Sequence, residues 1–321
     1  MPVKTNLQIQ LLGGFSVSIG GVNISAEHWK SRRASCLVKL LALVPGHRLH
    51  RGQVTDMLWP ESDLKASANN FYQTLYLARQ ILENAGVTTA ANPVRLVLEE
   101  GFLSLIDEDA LVLAIDVEQF ETAANAALSG TKDSQNLQAY QAALALYKGE
   151  LLPEDLYEEW TIQRREALRQ TFLSLLLNLA RLQETQQDYP AGIDTLLRLL
   201  AVDHSHEEAH AALIRLYALS GHRQQALRQY QTFKDILFKE MEVEPAEETI
   251  RLYQDIIAGR LYPERPVTVS TQPAHPMHNL PRQLTTLIGR EKEIALAKEL
   301  VRERPLVTLT GAGGVGKTRL A

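Results

Sequence analysis

A mainly α fold with a small β component is what this sequence predicts, and three observations predict it. Short apolar-alternating segments split by glycine pairs fill the first two dozen residues, and similar segments return between Val94 and Ile115. Between these two groups, three stretches repeat apolar residues at steps of three and four. From Asp116 to Gly259 the helical periodicity runs on almost without strand signals. A chain of 321 residues exceeds the usual single domain and calls for two or three. Its 45% hydrophobic and 22% charged content is that of a globular protein with a packed core, which excludes a disordered chain.

Taken in order, Leu7–Leu12 and Phe15–Ile19 alternate apolar and polar residues around Gly13-Gly14, and Gly20-Gly21 introduces Val22-Asn23-Ile24. Glycine turns between short strands make a small antiparallel sheet. A first helix is expected from about Arg32 to Val44, with Leu37, Leu40, Leu41 and Val44 on one face and Pro45-Gly46 as its stop. A short second helix follows from about Arg51 to Leu58, ended by Trp59-Pro60. The third helix, about Leu64 to Asn84, buries Ala68, Phe71, Leu75, Ala78 and Leu82. Strands at Val94–Leu98, Phe102–Ile106 and Leu111–Ile115 then surround a turn at Glu99-Glu100-Gly101. Sheet, three helices and a hairpin in that order is a winged helix-turn-helix. The single cysteine, Cys36, lies in the apolar first helix and reads as a small core residue.

The charge is uneven. The whole chain carries −5, yet eight basic residues face four acidic ones between Glu27 and Leu82. A basic segment on an acidic chain is the asymmetry of a DNA-reading domain, although a solvated surface gives the same count. The outer side of the third helix supplies the better argument. It carries Asn69, Asn70, Gln73, Leu77 and Gln80, with Lys65, Tyr76 and Arg79 at its flanks. Asn and Gln can grip adenine bidentately in the major groove, and Tyr, Lys and Arg suit phosphates. Arg32, Arg33 and Arg51, at the starts of the first two helices, complete the expected DNA-binding set.

These residues carry a resemblance. Residues from about Leu7 to Ile115 are similar to the OmpR/PhoB-type winged helix as found in SARP (AfsR-type) bacterial regulators. The apolar first helix Ala34–Leu43, the Leu58-Trp59-Pro60 end of the second, and Ala68-Asn69-Asn70-Phe71 with Tyr76–Arg79 in the third carry it. Ala78 departs from the leucine many relatives have there. The sheet begins at Leu7, which leaves no room in this sequence for a preceding receiver domain.

The middle of the chain aligns with itself at an offset of 34 residues: Leu179 with Leu213, Leu182 with Leu216, Gly192 with Ala226, Ile193 with Leu227, and Leu196 with Tyr230. That is the tetratricopeptide (TPR) period, in which helix pairs stack because one pair cannot bury its own apolar face. A helix is expected over Asp194–Val202. The segment resembles the bacterial transcriptional activator domain of SARP proteins, through Asp116–Phe120, Ala142–Glu150, Glu207–Lys234 and Met241–Pro245. His204, His206, His210 and His222 lack a cysteine partner and read as solvated histidines at helix ends, not as a metal site.

Five prolines mark residues 260–286 as a linker. In residues 287–321, Gly311, Gly313, Gly314, Gly316, Lys317 and Thr318 fit the phosphate-loop pattern, after an apolar Leu306–Thr310. The resemblance is to the start of a signalling ATPase module. The strands that would bring the magnesium carboxylate and the catalytic water do not follow, so the loop is expected to be vestigial here, with ATP a cofactor only in a longer parent protein. The domains expected are thus 1–115 (winged helix), 116–259 (TPR-like activator domain), 260–286 (linker) and 287–321 (truncated P-loop start).

No paired carboxylates, nucleophile triad or metal cluster points to an enzyme. No apolar run is long enough to span a membrane, and no signal peptide opens the chain, so a cytoplasmic location is expected. The expectation is a sequence-specific transcriptional regulator, in the activating sense. The resemblance implies promoter DNA, RNA polymerase and a second copy on direct repeats as its partners. The alternatives are a fragment of an ATP-operated switch and a TPR scaffold; salt-dependent binding to promoter fragments separates the first reading from the last.

Overall fold

The computed structural model describes residues 5–24, 28–29, 31–85, 94–107, 111–130, 134–261 and 291–303, together with Thr308 and Thr310. Two compact units divide the chain, Met1–Glu264 and Arg265–Ala321. In the second, the described structure is essentially one helix over Glu291–Glu303; the phosphate-loop residues Gly311–Thr318 and the proline-rich segment 262–286 lie outside the described residues.

The first unit opens on β1 (Thr5–Gln10), β2 (Ser16–Ile19) and β3 (Val22–Ile24), an antiparallel meander turned by the expected glycine pairs. Three helices follow: α1 (Arg32–Leu43), α2 (Arg51–Leu58) and α3 (Leu64–Ala85). Ser31 starts α1 by accepting from the Ala34 N–H, and the Asp63 carboxylate accepts from the Ala66 N–H to start α3. The short strand β4 (Arg48–His50) was not expected; only Leu49 in it is buried, too brief a pattern to read against the turn before it and the helix after it. It pairs with β6 (Phe102–Asp107), itself in a hairpin with β5 (Val94–Glu99), to form the wing sheet β4-β6-β5.

The strand β7 (Leu111–Ile115) does not extend the wing. It runs parallel to β1, Leu113 opposite Leu7 and Ile115 opposite Ile9, and closes the first sheet in the order β3-β2-β1-β7. Alternation marks a strand but cannot name its neighbour. Here burial of Leu7, Ile9 and Ile115 on one face fixes the register.

The chain passes from β7 straight into α4 (Asp116–Ser129), then α5 (Ser134–Leu146), α6 (Glu159–Thr185), α7 (Tyr189–Val202), α8 (Glu207–Leu219), α9 (Arg223–Met241) and α10 (Glu247–Ile257). The 34-residue period is exact in the caps: α6 ends at Thr185 and α8 at Leu219, α7 starts at Tyr189 and α9 at Arg223. The aligned pairs Leu179/Leu213, Leu182/Leu216 and Leu196/Tyr230 are all buried. Even the turns repeat, for Gln187 and Gly221 are both left-handed. The helix α7 begins five residues earlier than its apolar pattern, because Asp188 caps it and Pro190 is tolerated in the first turn, where no N–H is needed.

A single apolar cluster runs from Leu7 in β1 to Leu216 in α8, so sheet, three-helix core and first repeats share one interior. Its joint is backbone-built. The carboxylate of Asp116, first residue of α4, accepts from the N–H groups of Leu11 and Leu12 at 2.9 Å and from Val117 at 2.8 Å. Leu12 bridges Leu151, Leu152 N–H donates to the Leu11 carbonyl at 2.9 Å, and Gly13 N–H to the Glu150 carbonyl at 2.9 Å. Gly13 is required there: its φ is +78°, and a Cβ would sit 2.9 Å from the Lys148 carbonyl oxygen. The same loop covers the outer side of α1, which explains why that helix is buried continuously from Ala34 to Ala42 instead of on one face.

Of the four histidines expected to be solvated, His204 is exposed and pairs with Glu240, while His206 caps α8 and His222 bonds Ser220. His210 departs from that expectation. It is buried and stacked on Phe233 with centroids 4.4 Å apart. Its Nε2–H donates to the His204 carbonyl at 2.9 Å, and its Nδ1 accepts from Gln229 at 2.8 Å. Both bonds need the neutral ring, and burial pushes its pKa below the ordinary 6.5. A depressed pKa gives stability that is complete above the unfolded value and lost as pH falls through the folded one. His210→Gln is therefore expected to flatten the fall in stability that sets in as pH drops through the ordinary histidine range, about 6.5, read by urea denaturation. An unchanged limb would place the titrating group elsewhere.

Candidate nucleic-acid interface

The helix α3 sorts its residues as its periodicity requires. Phe71, Leu75, Ala78 and Leu82 are buried, with Ser67 and Thr74 beside them and Ala68 half-buried at the edge. On the other side Lys65, Asn69, Gln73, Tyr76, Leu77 and Gln80 are exposed, and Asn70 is half-buried. Tyr76 at 64% and Leu77 at 38% exposure are large side chains with no core role, placed among polar ones.

Around that face the structure supplies groups that spacing alone did not assign. Arg51, first residue of α2, is exposed; its guanidinium donates to the Tyr72 hydroxyl at 2.8 Å, and its own N–H donates to the Gly101 carbonyl at 2.7 Å. Tyr72, exposed on α3, thus holds the guanidinium beside the reading face. Arg48 of β4 lies 4.3 Å from the Phe102 ring centroid, and His50 meets the same ring edge-on. A signal existed for Tyr72, which follows buried Phe71 and so must leave the core. None existed for Phe102, an apolar strand residue that turns out 37% exposed.

The remaining expected cations sit differently. Arg79 is half-buried and its Nε–H donates to the Leu96 carbonyl of β5 at 2.8 Å, tying the helix to the wing. Arg32 bonds Asp155 at 3.3 Å and Glu158 at 3.2 Å, and Arg33 reaches Glu158 at 3.4 Å. Lys39, counted among the basic charges, is buried against Asp155 at 2.5 Å and Glu154 at 3.1 Å. These three cations of α1 neutralise a carboxylate loop between α5 and α6, and the structure does not bring them together with the α3 face.

Cys36, Asp155 and Glu158 offer metal-ligand atoms within 4.8 Å of one another. The donor set is already spent: both carboxylates bond cations of α1. Burial pushes the Cys36 thiol up to about 11, so it stays protonated. The cluster is an ion-pair network around a core thiol. Among the described residues, no helix is long and apolar enough to cross a membrane.

Residues 115–257 match the bacterial transcriptional activator domain family. No curated protein matches the chain. Among solved structures, Mycobacterium tuberculosis EmbR in complex with a low-affinity phosphopeptide aligns with a TM-score of 0.65 at 19% identity, covering 79% of this chain and 66% of that one. That likeness shows a shared fold. The C-terminal TPR-containing domain of a Plasmodium falciparum FK506-binding protein aligns at a TM-score of 0.33 and 16% identity, over 45% of this chain and 92% of its own, too slight to bear on the fold. A winged helix-turn-helix packed on a helical array is the architecture found, and residues 115–257 of that array match the bacterial transcriptional activator domain family.

Proposed function

We propose that this regulator binds double-stranded promoter DNA in a sequence-specific manner and activates transcription. In this reading 1–115 is the DNA-binding domain, and 116–259 contacts RNA polymerase and a second copy bound to a direct repeat. The observation that carries it is the exposed face of α3, where Asn69, Gln73, Tyr76 and Gln80 stand outward over a helix anchored by Phe71 and Leu75. A helix so anchored presents amides at the spacing of base edges in a major groove. Lys65, Asn70 and Leu77 extend the face, and Arg51, braced by Tyr72, supplies phosphate contact from α2. The wing tip carries Glu99 and Glu100, both exposed, whose carboxylates repel phosphates. Reading therefore falls to α3 and not to the tip of the β5–β6 turn. Arg32 and Arg33 are left to the joint with the helical array and Arg79 to the wing.

The test is fluorescence anisotropy with promoter and random duplexes across a salt series. Gln73→Ala is expected to cost about 1–3 kcal/mol on the preferred site and little on random DNA. Arg51→Ala is expected to weaken both duplexes alike and to flatten the slope of log K against log salt by about one unit. Binding that ignores both substitutions would leave the chain a regulator that acts through protein contacts.

A further inference from the structure

In β4 only Leu49 is buried, so strand alternation puts Arg48 and His50 on the outer face of the wing sheet. There His50 lies opposite Phe102 in register with its ring edge-on at 5.2 Å, and the Arg48 guanidinium lies over the Phe102 ring at 4.3 Å. Phe102 is exposed, although Leu103 beside it is fully buried. Arg51 is backed in a similar way: its guanidinium donates to the Tyr72 hydroxyl and lies 6.0 Å from that ring. Two guanidinium groups, each held by an exposed aromatic ring, thus stand at the start of α2. A guanidinium stacked by its face keeps its N–H edge free and has less freedom to lose when it binds.

The described cations of the winged helix divide by what they bond. Arg32, Arg33 and Lys39 are spent on carboxylates of the α5–α6 loop, and Arg79 on the Leu96 carbonyl. Among the described residues Arg48, like Lys65, has neither a hydrogen bond nor an ion pair, and the Arg51 guanidinium bonds a neutral hydroxyl. At the turn end of the wing the charges also sort by edge. Arg48 and His50 are on β4, while Glu99 faces Phe102 from β5 on the far side and Glu100 is in the turn. An anion is drawn to the β4 edge and repelled from the β5 edge. Between the edges the Phe102 ring offers apolar surface. A nucleic-acid backbone matches both features, with anionic oxygens for the guanidinium and a sugar for the ring. A free inorganic anion would have no use for the ring.

We infer that Arg48, backed by Phe102, is a phosphate anchor on the β4 edge of the wing, and that the duplex backbone passes along this edge with a deoxyribose against the ring. The inference rests on the DNA-binding reading above and adds to it a contact outside α2 and α3. Were the ring merely shielded from water, the stem of Arg48 would serve without its charge.

A phosphate contact carries no sequence information, so the probe is a random-sequence duplex, followed by fluorescence anisotropy with the whole chain across a salt series. Arg48→Gln is expected to flatten the slope of log K against log salt by about 0.9 and to weaken binding about fivefold near physiological salt. Arg48→Lys keeps the charge and should keep the slope. Phe102→Leu should also keep the slope while weakening binding about threefold, and should cost less than that beside Arg48→Gln, because ring and guanidinium act together. Arg32→Gln, which removes a cation already bonded to Glu158, is the control and should leave the slope unchanged. Arg48 is exposed, so its replacement does not threaten the fold. A slope indifferent to Arg48→Gln but flattened by Arg51→Gln would overturn the assignment, leave Arg48 a cover for the ring, and spare the DNA-binding reading. Equal flattening by Arg32→Gln would overturn it as an effect of net charge. A parent chain that binds no duplex would remove the DNA-binding reading and this contact with it.

Discussion

Asp155→Ala is expected to destabilise the protein by about 3–5 kcal/mol. Asp155 is 1% exposed and its Oδ2 lies 2.5 Å from the Nζ of Lys39, itself inside the apolar run of α1. Removing the carboxylate leaves a buried ammonium whose remaining anion, Glu154, is partly solvated at 3.1 Å. It also releases Arg32 from one of its two carboxylates. Glu154 and the Phe15 ring, 4.7 Å from Nζ, hold the loss toward the lower end. The check is equilibrium urea denaturation of Asp155→Ala beside Lys39→Met/Asp155→Leu. The double variant should recover much of the loss, because a buried pair costs almost as much desolvation as it returns in attraction. A single variant within 1 kcal/mol of the parent would show that water reaches the pair.

The second large effect is expected at Asp116, whose carboxylate accepts from the N–H groups of Leu11, Leu12 and Val117. Leu11 and Leu12 are fully buried, so alanine at 116 strands backbone donors where water cannot replace the carboxylate. At about 1–3 kcal/mol for each unsatisfied group, a loss of at least 3 kcal/mol is expected. Asp116→Asn, which keeps one acceptor oxygen, should lose less. Hydrogen exchange at Leu11 and Leu12 separates this cause from a general loss of packing: both amides should lose protection before the core of α3 does. Uniform loss of protection would count against the carboxylate as the joint.

The sequence disclosed helices better than their neighbours. The face of α3 could be read residue by residue, since Phe71, Leu75, Ala78 and Leu82 recur at helical steps and one helix has only two sides. The repeat pairs could be read for the same reason, though the start of α7 could not, because Asp188 and Pro190 open that helix five residues before its apolar pattern. What stayed hidden was decided by contacts far apart in the chain. Arg32 and Arg33 look like free cations until Glu158, more than 120 residues later, is seen to meet them. Lys39 reads as a surface charge, yet a loop covers it and gives it Asp155. His210 sits near a helix start like its neighbours, and only Phe233 and Gln229 on the next helix make it a core residue. The stacking of Arg48 on Phe102 left no trace in spacing, because it joins two strands far apart in the chain.

The direct passage from Ile115 of β7 into Asp116 of α4, sealed by the Gly13–Glu150 joint, has a mechanical meaning. A flexible linker would set how often the two halves meet a common target through its length, as an effective concentration. Here nothing of that kind is left to tune. Were α3 seated in a groove, as proposed, the helical array would be carried at a fixed azimuth around the duplex, as on a mast, and each base pair added beneath the protein would turn the whole array with it. The distance and rotational phase between an operator and whatever the array must touch would then become quantities written in the DNA.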